Sequence, residues 1–75
     1  MKGSELVKKL KRFAKKRGLV IVLDGSRGRG SHSTLYLGNQ FTIIRNLKDE
    51  LKTGTLQGML KQLDITLDDL ENNDD

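Results

Sequence analysis

The sequence predicts an α+β fold of the order α-β-β-β-α, in which a three-stranded antiparallel sheet carries two helices on one face. Two patterns predict it. Apolar residues recur at helical spacing near both ends of the chain, whereas residues 19–44 contain short strand-like runs separated by turn residues. With only 75 residues, the chain forms one domain, residues 1–75, and buries roughly 60% of the surface that its unfolded form exposes.

The first element is an amphipathic helix over residues 4–16, which Gly18 is expected to end. Its core stripe comprises Leu6, Val7, Leu10, Phe13 and Ala14. The other faces are strongly basic and offer a surface for RNA or for an acidic partner, the alternative being an ordinary solvated face. The candidate contact residues are Lys8, Lys11, Arg12 and Lys15.

Two strands follow the helix. Residues 19–23 are continuously apolar and partly β-branched, so we expect a strand that is covered on both faces and central in the sheet. Residues 31–37 alternate, which places Leu35 and Leu37 toward the core. The opposite, open face of this second strand then carries His32, Thr34 and Tyr36.

The turn at residues 38–40 leads into a third strand over residues 41–44. A three-residue loop pairs Leu37 with Phe41 and gathers the apolar side chains on one face, so we expect an odd loop length. The alternative is a two-residue turn, which pairs Leu37 with Gln40 and places Phe41 on the same face as His32.

The rest of the chain is predicted to be helical after a polar connection over residues 45–52. Thr53 is a candidate N-cap for a helix whose apolar stripe comprises Leu56, Met59, Leu60 and Leu63. Thr66 and Asp69 have the spacing of a capping box and predict a short last helical turn. An acidic tail over residues 71–75 is expected to fray.

Composition limits the classes of function. The chain has no cysteine and one histidine, which excludes thiol catalysis and gives no set of residues that would converge on a metal; we expect no metal and no cofactor. It has no apolar segment of membrane-spanning length and no signal peptide pattern, so we expect a cytoplasmic protein.

Charge is distributed unevenly along the chain. Residues 1–52 carry 13 Lys and Arg against 4 Asp and Glu, whereas residues 53–75 carry 1 against 6. A basic body of this kind suits a polyanion such as RNA, and the acidic end suits solvation or a basic partner.

The candidate reaction centre lies within residues 25–36, because this segment holds the only histidine. His32 has the one side chain whose unperturbed pKa is near neutrality, so it is the candidate general base or acid. The preceding Gly/Arg segment could bind a phosphate, while Tyr36 or Arg45 orients the substrate. The phosphate-binding candidates are Arg27, Gly28, Arg29, Gly30 and Ser31. The alternatives are a solvated histidine and a flexible connector.

Three motifs resemble the HicA toxins of bacterial toxin–antitoxin pairs. Lys-Gly-Ser-Glu-Leu-Val-Lys-Lys-Leu at residues 2–10 is similar to the first helix of that family, and Gly-Ser-His at residues 30–32 with Leu-Tyr at 35–36 is similar to its active-site block. Glu-Leu-Lys-Thr-Gly-Thr-Leu at residues 50–56, continuing to Leu-Lys-Gln-Leu at 60–63, is similar to its second helix. The resemblance implies a fold like that of double-stranded-RNA-binding domains.

The resemblance also implies a function. His32 would be the catalytic histidine of an mRNA-cleaving toxin, and a HicB-type antitoxin would cover it. The chain departs from the family at residues 44–46, which read Ile-Arg-Asn where many members have Pro-x-His, and at Asp64, where glycine is common.

Two other classes of function are compatible with the sequence. One is a non-catalytic RNA-binding module, although duplex-binding domains usually place Lys at the start of the second helix, where this chain has Thr53, Gly54 and Thr55. The other is an interaction protein with little residual nuclease activity, whose basic helix docks on an acidic partner.

Overall fold

The computed structural model describes residues 1–25, 33–45 and 47–71. The elements are α1 (Gly3–Arg17), β1 (Ile21–Asp24), β2 (Ser33–Leu37), β3 (Gln40–Ile44), α2 (Thr53–Gln62) and α3 (Leu67–Glu71). The strands form one antiparallel sheet in the order β1-β2-β3. The predicted α+β fold is therefore confirmed.

The core lies between the helices and one face of the sheet. Leu35 and Leu37 are buried there as predicted, with 0% and 2% of their surface exposed. The apolar stripe of α1 packs against them, as do Met59 and Leu60 of α2. Burying one such side chain contributes about 1.5–3 kcal/mol, so this single layer of apolar contacts provides most of the favourable folding energy.

The expectation that the first strand is central was wrong. β1 pairs only with β2 among the described strands, and it begins at Ile21, two residues later than predicted. Val20 and Val22 are 71% and 49% exposed. The helices cover one face of the sheet and leave the other face open, so a continuously apolar run places half of its side chains in solvent.

The expected odd loop between β2 and β3 was also wrong, and the two-residue alternative is observed. Leu37 pairs with Gln40, and Gly38 has φ +59° while Asn39 keeps a negative φ, the sign pattern of a type II′ turn. Thr42 therefore enters the core, where it is 1% exposed. Its hydroxyl donates a hydrogen bond of 2.5 Å to Oε1 of Gln62, which makes a polar side chain tolerable there.

The helix termini follow the predictions with one exception. After α1, the Leu19 amide bonds to the carbonyl of Ala14 at 2.8 Å and Gly18 has φ +69°, which is a Schellman motif. Thr66 and Asp69 form the predicted reciprocal cap, with hydrogen bonds of 3.0 and 3.1 Å. Thr53 is not the N-cap of α2; it is the first helical residue, because the extended backbone conformation of the cap falls on Lys52.

The connection between β3 and α2 is also hydrogen-bonded to the start of α1. The first amides of α1 donate to it: Gly3 bonds to the carbonyl of Asp49 at 3.2 Å and Ser4 to that of Leu47 at 2.9 Å. The Leu51 amide in turn bonds to the carbonyl of Met1 at 2.8 Å. The bonds from Gly3 and Ser4 satisfy helix N-terminal donors that have no partner within the helix.

Candidate active site

Of the residues predicted to act on RNA or bind its phosphate, Tyr36 and Arg45 fall within the described parts of the chain. The other predicted site residues, Arg27, Gly28, Arg29, Gly30, Ser31 and His32, lie outside the described residues, as does Asn46. The structure therefore describes the strand ends to which this segment, residues 26–32, is joined.

The two attachment points of the segment lie side by side at one end of the sheet. Asp24 pairs with Thr34, and a Cβ built on Gly25 would lie 2.9 Å from the Ser33 hydroxyl oxygen. The backbones before and after the segment thus approach closely, and a side chain at position 25 would require the Ser33 hydroxyl to turn away. Ser33, the residue that follows His32 in the sequence, is the first residue of β2 at this end of the sheet.

Arg45 belongs to this same end of the sheet. Ser33, the first residue of β2, pairs with Ile44, the last residue of β3, and Arg45 follows directly. Arg45 is exposed and lines a cavity of about 390 Å³ beside the end of β3. The remaining lining residues are Ile43, Asp49, Glu50, Leu51, Lys52, Thr55 and Met59.

Glu50 is the carboxylate in this cavity whose acidity is altered. The N-terminal ammonium of Met1 donates a hydrogen bond to Glu50 Oε2 and, through this bond and its charge, lowers the pKa of that carboxyl below the usual value. A carboxyl with a lowered pKa is a poorer proton carrier near neutral pH.

The face of the sheet opposite the helices, called the outer face below, carries Val22, Thr34, Tyr36, Phe41 and Ile43. Tyr36 is 43% exposed, as its position in the alternation predicts. It pairs directly with Phe41 on β3, with ring centroids 6.1 Å apart and planes inclined at 41°. Phe41 was not predicted as a site residue, because the expected odd loop turned its side chain toward the core.

The basic face of α1 is partly neutralised by the C-terminal helix. Nζ of Lys9 donates to Glu71 at 2.7 Å, and Arg17 lies 3.6 Å from Asp69 while its guanidinium stacks on the Phe13 ring at 4.7 Å. The four predicted contact residues Lys8, Lys11, Arg12 and Lys15 are all exposed. Their shared ridge on α1 therefore remains accessible to a partner.

Comparison with known families identifies the chain. The family described as "HicA toxin of bacterial toxin-antitoxin" matches residues 3–65. The chain belongs to the HicA toxin family. The match extends over α1, the sheet and α2 and ends before α3, so it includes the second and third motifs of the predicted resemblance and all of the first except Lys2. Comparison with curated proteins and with solved structures gave no match.

Membership of the HicA family makes the chain a toxin of the toxin–antitoxin type, for which an antitoxin partner is expected. Within the described ranges, no helix is long and apolar enough to cross a membrane. The same ranges hold no group of three or more His, Cys, Asp and Glu side chains suited to a metal ion.

Proposed function

We propose that this HicA toxin is a metal-independent endoribonuclease that cleaves mRNA, with His32 as its proton-transfer residue. The family match over residues 3–65, which includes His32, supports this function. We further propose that a HicB-type antitoxin neutralises the toxin by covering His32. An enzyme of this kind would act in the cytoplasm, where mRNA is found.

The chemistry requires few groups because RNA carries its own nucleophile. The 2′-oxygen attacks the adjacent phosphorus as its proton leaves, and the bond from phosphorus to the 5′-oxygen breaks as that oxygen gains a proton. His32 supplies the base or the acid, and the other proton transfer involves water. General acid–base help is worth about 10²–10⁴-fold, so one histidine predicts a slow enzyme.

Positive charge is needed for the negative charge that develops on the phosphate. Arg27 and Arg29, with backbone N–H groups of Gly28, Gly30 and Ser31, are the proposed phosphate ligands. Arg45 is exposed at the end of β3 that pairs with the start of β2, so it can add a guanidinium at the same end of the sheet.

A non-catalytic module for duplex RNA fits the described residues less well. The first turn of α2 holds Thr53, Gly54 and Thr55, and the basic residue of this helix, Lys61, lies in its last turn. Duplex recognition depends on contacts to phosphates, for which the first turn of this helix supplies no cationic side chain beyond Lys52 at its N-cap. The exposed ridge of α1 remains the better surface for RNA backbone or for an acidic antitoxin.

The test incubates the purified full chain with single-stranded RNA in the presence of EDTA. Parent protein should yield fragments that end in a 2′,3′-cyclic phosphate and begin with a 5′-hydroxyl, and His32→Ala prepared in parallel should yield none. Gln57→Ala, a change at an exposed position of α2, is the matched control and should cleave like the parent.

Two results would reject the nuclease. One is a folded His32→Ala variant that cleaves as fast as the parent, and the other is a parent protein that binds RNA without cleaving it. The second result would favour the binding module. Circular dichroism of each variant establishes that a loss of cleavage is not a loss of fold.

A further inference from the structure

The outer face of the sheet carries a row of exposed apolar side chains. Val22, Tyr36 and Phe41 are in register across the three strands and are 49%, 43% and 57% exposed. Ile43, which follows Phe41 by two residues on β3 and faces the same side of the sheet, is 51% exposed. Small soluble proteins rarely expose a contiguous apolar patch of this kind unless it binds something.

We propose that the paired rings of Tyr36 and Phe41 form a base-stacking site for single-stranded RNA. This inference extends the proposed nuclease site and rests on the proposed function for its substrate. The rings are inclined at 41° with centroids 6.1 Å apart, so neither ring covers the other and both keep exposed surface. Single-stranded RNA offers unstacked bases, which proteins bind on such exposed aromatic rings.

The aromatic pair lies within reach of the proposed reaction centre. Tyr36 follows Ser33 by three residues, which is about 10 Å along a strand at a rise of about 3.4 Å per residue. Ser33 is bonded to His32, and it pairs with the residue before Arg45. A phosphate held at that end of the sheet would therefore leave a neighbouring base over the rings.

Charge favours RNA over a protein as the occupant. Residues 1–52, which supply all three strands, carry 13 Lys and Arg against 4 Asp and Glu, and Arg45 directly follows β3. The carboxylates near this end of the sheet are Asp24, Asp49 and Glu50, and Glu50 is paired with the N-terminal ammonium. A basic chain that exposes aromatic rings has the combination that single-strand binders use, because cations hold the backbone while rings stack the bases.

The two kinds of occupant differ in the side chains they require. A stacked base needs the rings and gains little from an aliphatic neighbour, whereas an apolar protein surface would bury Ile43 together with the rings. Phe41→Leu removes a ring but keeps an apolar side chain. Ile43→Thr keeps the β-branched shape on the same strand and removes apolar surface without touching a ring.

Intrinsic fluorescence makes the measurement direct, because Tyr36 is the only tyrosine and the chain has no tryptophan. The full chain carrying His32→Ala is titrated with a short oligoadenylate and with an abasic ribose-phosphate oligomer of equal length. Oligoadenylate should quench Tyr36 emission saturably and bind several-fold more tightly than the abasic oligomer. Phe41→Leu should weaken oligoadenylate binding by roughly 5- to 150-fold, and Ile43→Thr should not.

Equal affinity for the two oligomers would overturn the stacking site and leave electrostatic binding alone. A loss in Ile43→Thr as large as that in Phe41→Leu would overturn it in favour of a protein-docking face. The comparison of the two oligomers does not use Phe41→Leu, so it decides the question even if that variant does not fold. This titration measures binding and not cleavage. Failure of the base-stacking proposal therefore leaves the proposed catalytic role of His32 untouched, and failure of that role leaves base stacking untouched.

Discussion

Gly18 and Gly58 offer a matched pair of substitutions that isolates backbone conformation from packing. A Cβ added at either glycine would meet no atom within 4 Å, so neither change creates a clash. Gly18 lies after α1 with φ +69°, whereas Gly58 lies inside α2 without a positive φ. The sign of each effect should therefore follow from the backbone dihedral alone.

The expected magnitudes are of opposite sign. An L-residue in the left-handed region costs about 1–2 kcal/mol. The reduced entropy of the unfolded chain returns about 0.4–1 kcal/mol of this cost. Gly18→Ala should thus lower the free energy of unfolding by about 1 kcal/mol. Gly58→Ala should raise it by about 0.8–1.0 kcal/mol, the difference in helix propensity.

Urea denaturation followed by circular dichroism measures both changes. If His32 has the proposed role, using the His32→Ala background for both variants keeps toxicity from limiting expression. The two variants should differ by about 2 kcal/mol, which corresponds to about 8–16 °C in Tm for a domain of this size. If both substitutions shift stability in the same direction, backbone dihedral does not govern the effect and the reasoning fails.

Three further predictions follow from other positions. Asp64 occupies a second Schellman motif, with φ +61° and an Ile65 amide bonded to the Leu60 carbonyl at 3.0 Å. Asp64→Gly should therefore raise the free energy of unfolding by about 1 kcal/mol in urea titrations, and a decrease would contradict the strain. The lowered pKa of Glu50 gives stability that is present above the unfolded-state pKa of this carboxyl and is lost as the pH falls through its lower folded-state pKa. Glu50→Gln should consequently show a smaller drop in Tm between neutral and strongly acid pH than the parent, and an unchanged drop would exclude this linkage. If Arg45 binds the phosphate, Arg45→Ala should reduce kcat/KM for RNA cleavage by roughly 10- to 150-fold, the loss of one charged hydrogen bond. Lys61→Ala, in the last turn of α2, is its control and should leave cleavage unchanged.

Much of the fold could be predicted because local signals and burial agree along most of the chain. The helical spacing that ends at Gly18, the alternation of Leu35 with Tyr36 and the Thr66 cap each act over a few residues. None of them depends on which elements become neighbours. The position of β1 in the sheet does depend on neighbours, and an apolar run has the same sequence whether one or both of its faces are covered.

The hairpin between β2 and β3 shows why apolar pattern alone misled. Grouping Phe41 with the core leucines looked favourable, but Gly38-Asn39 suits a two-residue turn because glycine accepts the positive φ at its first position. Turn geometry then fixed the register, and the hydrogen bond from Thr42 to Gln62 made a buried hydroxyl acceptable. Giving the turn residues more weight would have placed Phe41 beside Tyr36.

The candidate site likewise has one part that residue types indicate and another that depends on the fold. A chemistry could be proposed from residue type, since one histidine and two nearby arginines are visible in the sequence itself. Spatial neighbours could not: the pairing of Ser33 with Ile44 brings Arg45 to the start of β2, and it depends on the register that the turn sets. The cavity that Arg45 shares with Lys52 and Thr55 likewise depends on how α2 approaches the sheet.

The backbone hydrogen bonds that join the start of α1 to the connection after β3 affect how the chain assembles. During synthesis, the amides of Gly3 and Ser4 leave the ribosome long before their acceptors at Leu47 and Asp49 are made. Helix α1 can form early, but its first turn is completed only when a loop of more than forty residues closes, at an entropic cost that grows slowly with length. Fraying of that turn and release of the connection are then one event, and the amides of Gly3, Ser4 and Leu51 should exchange with solvent deuterium at similar rates.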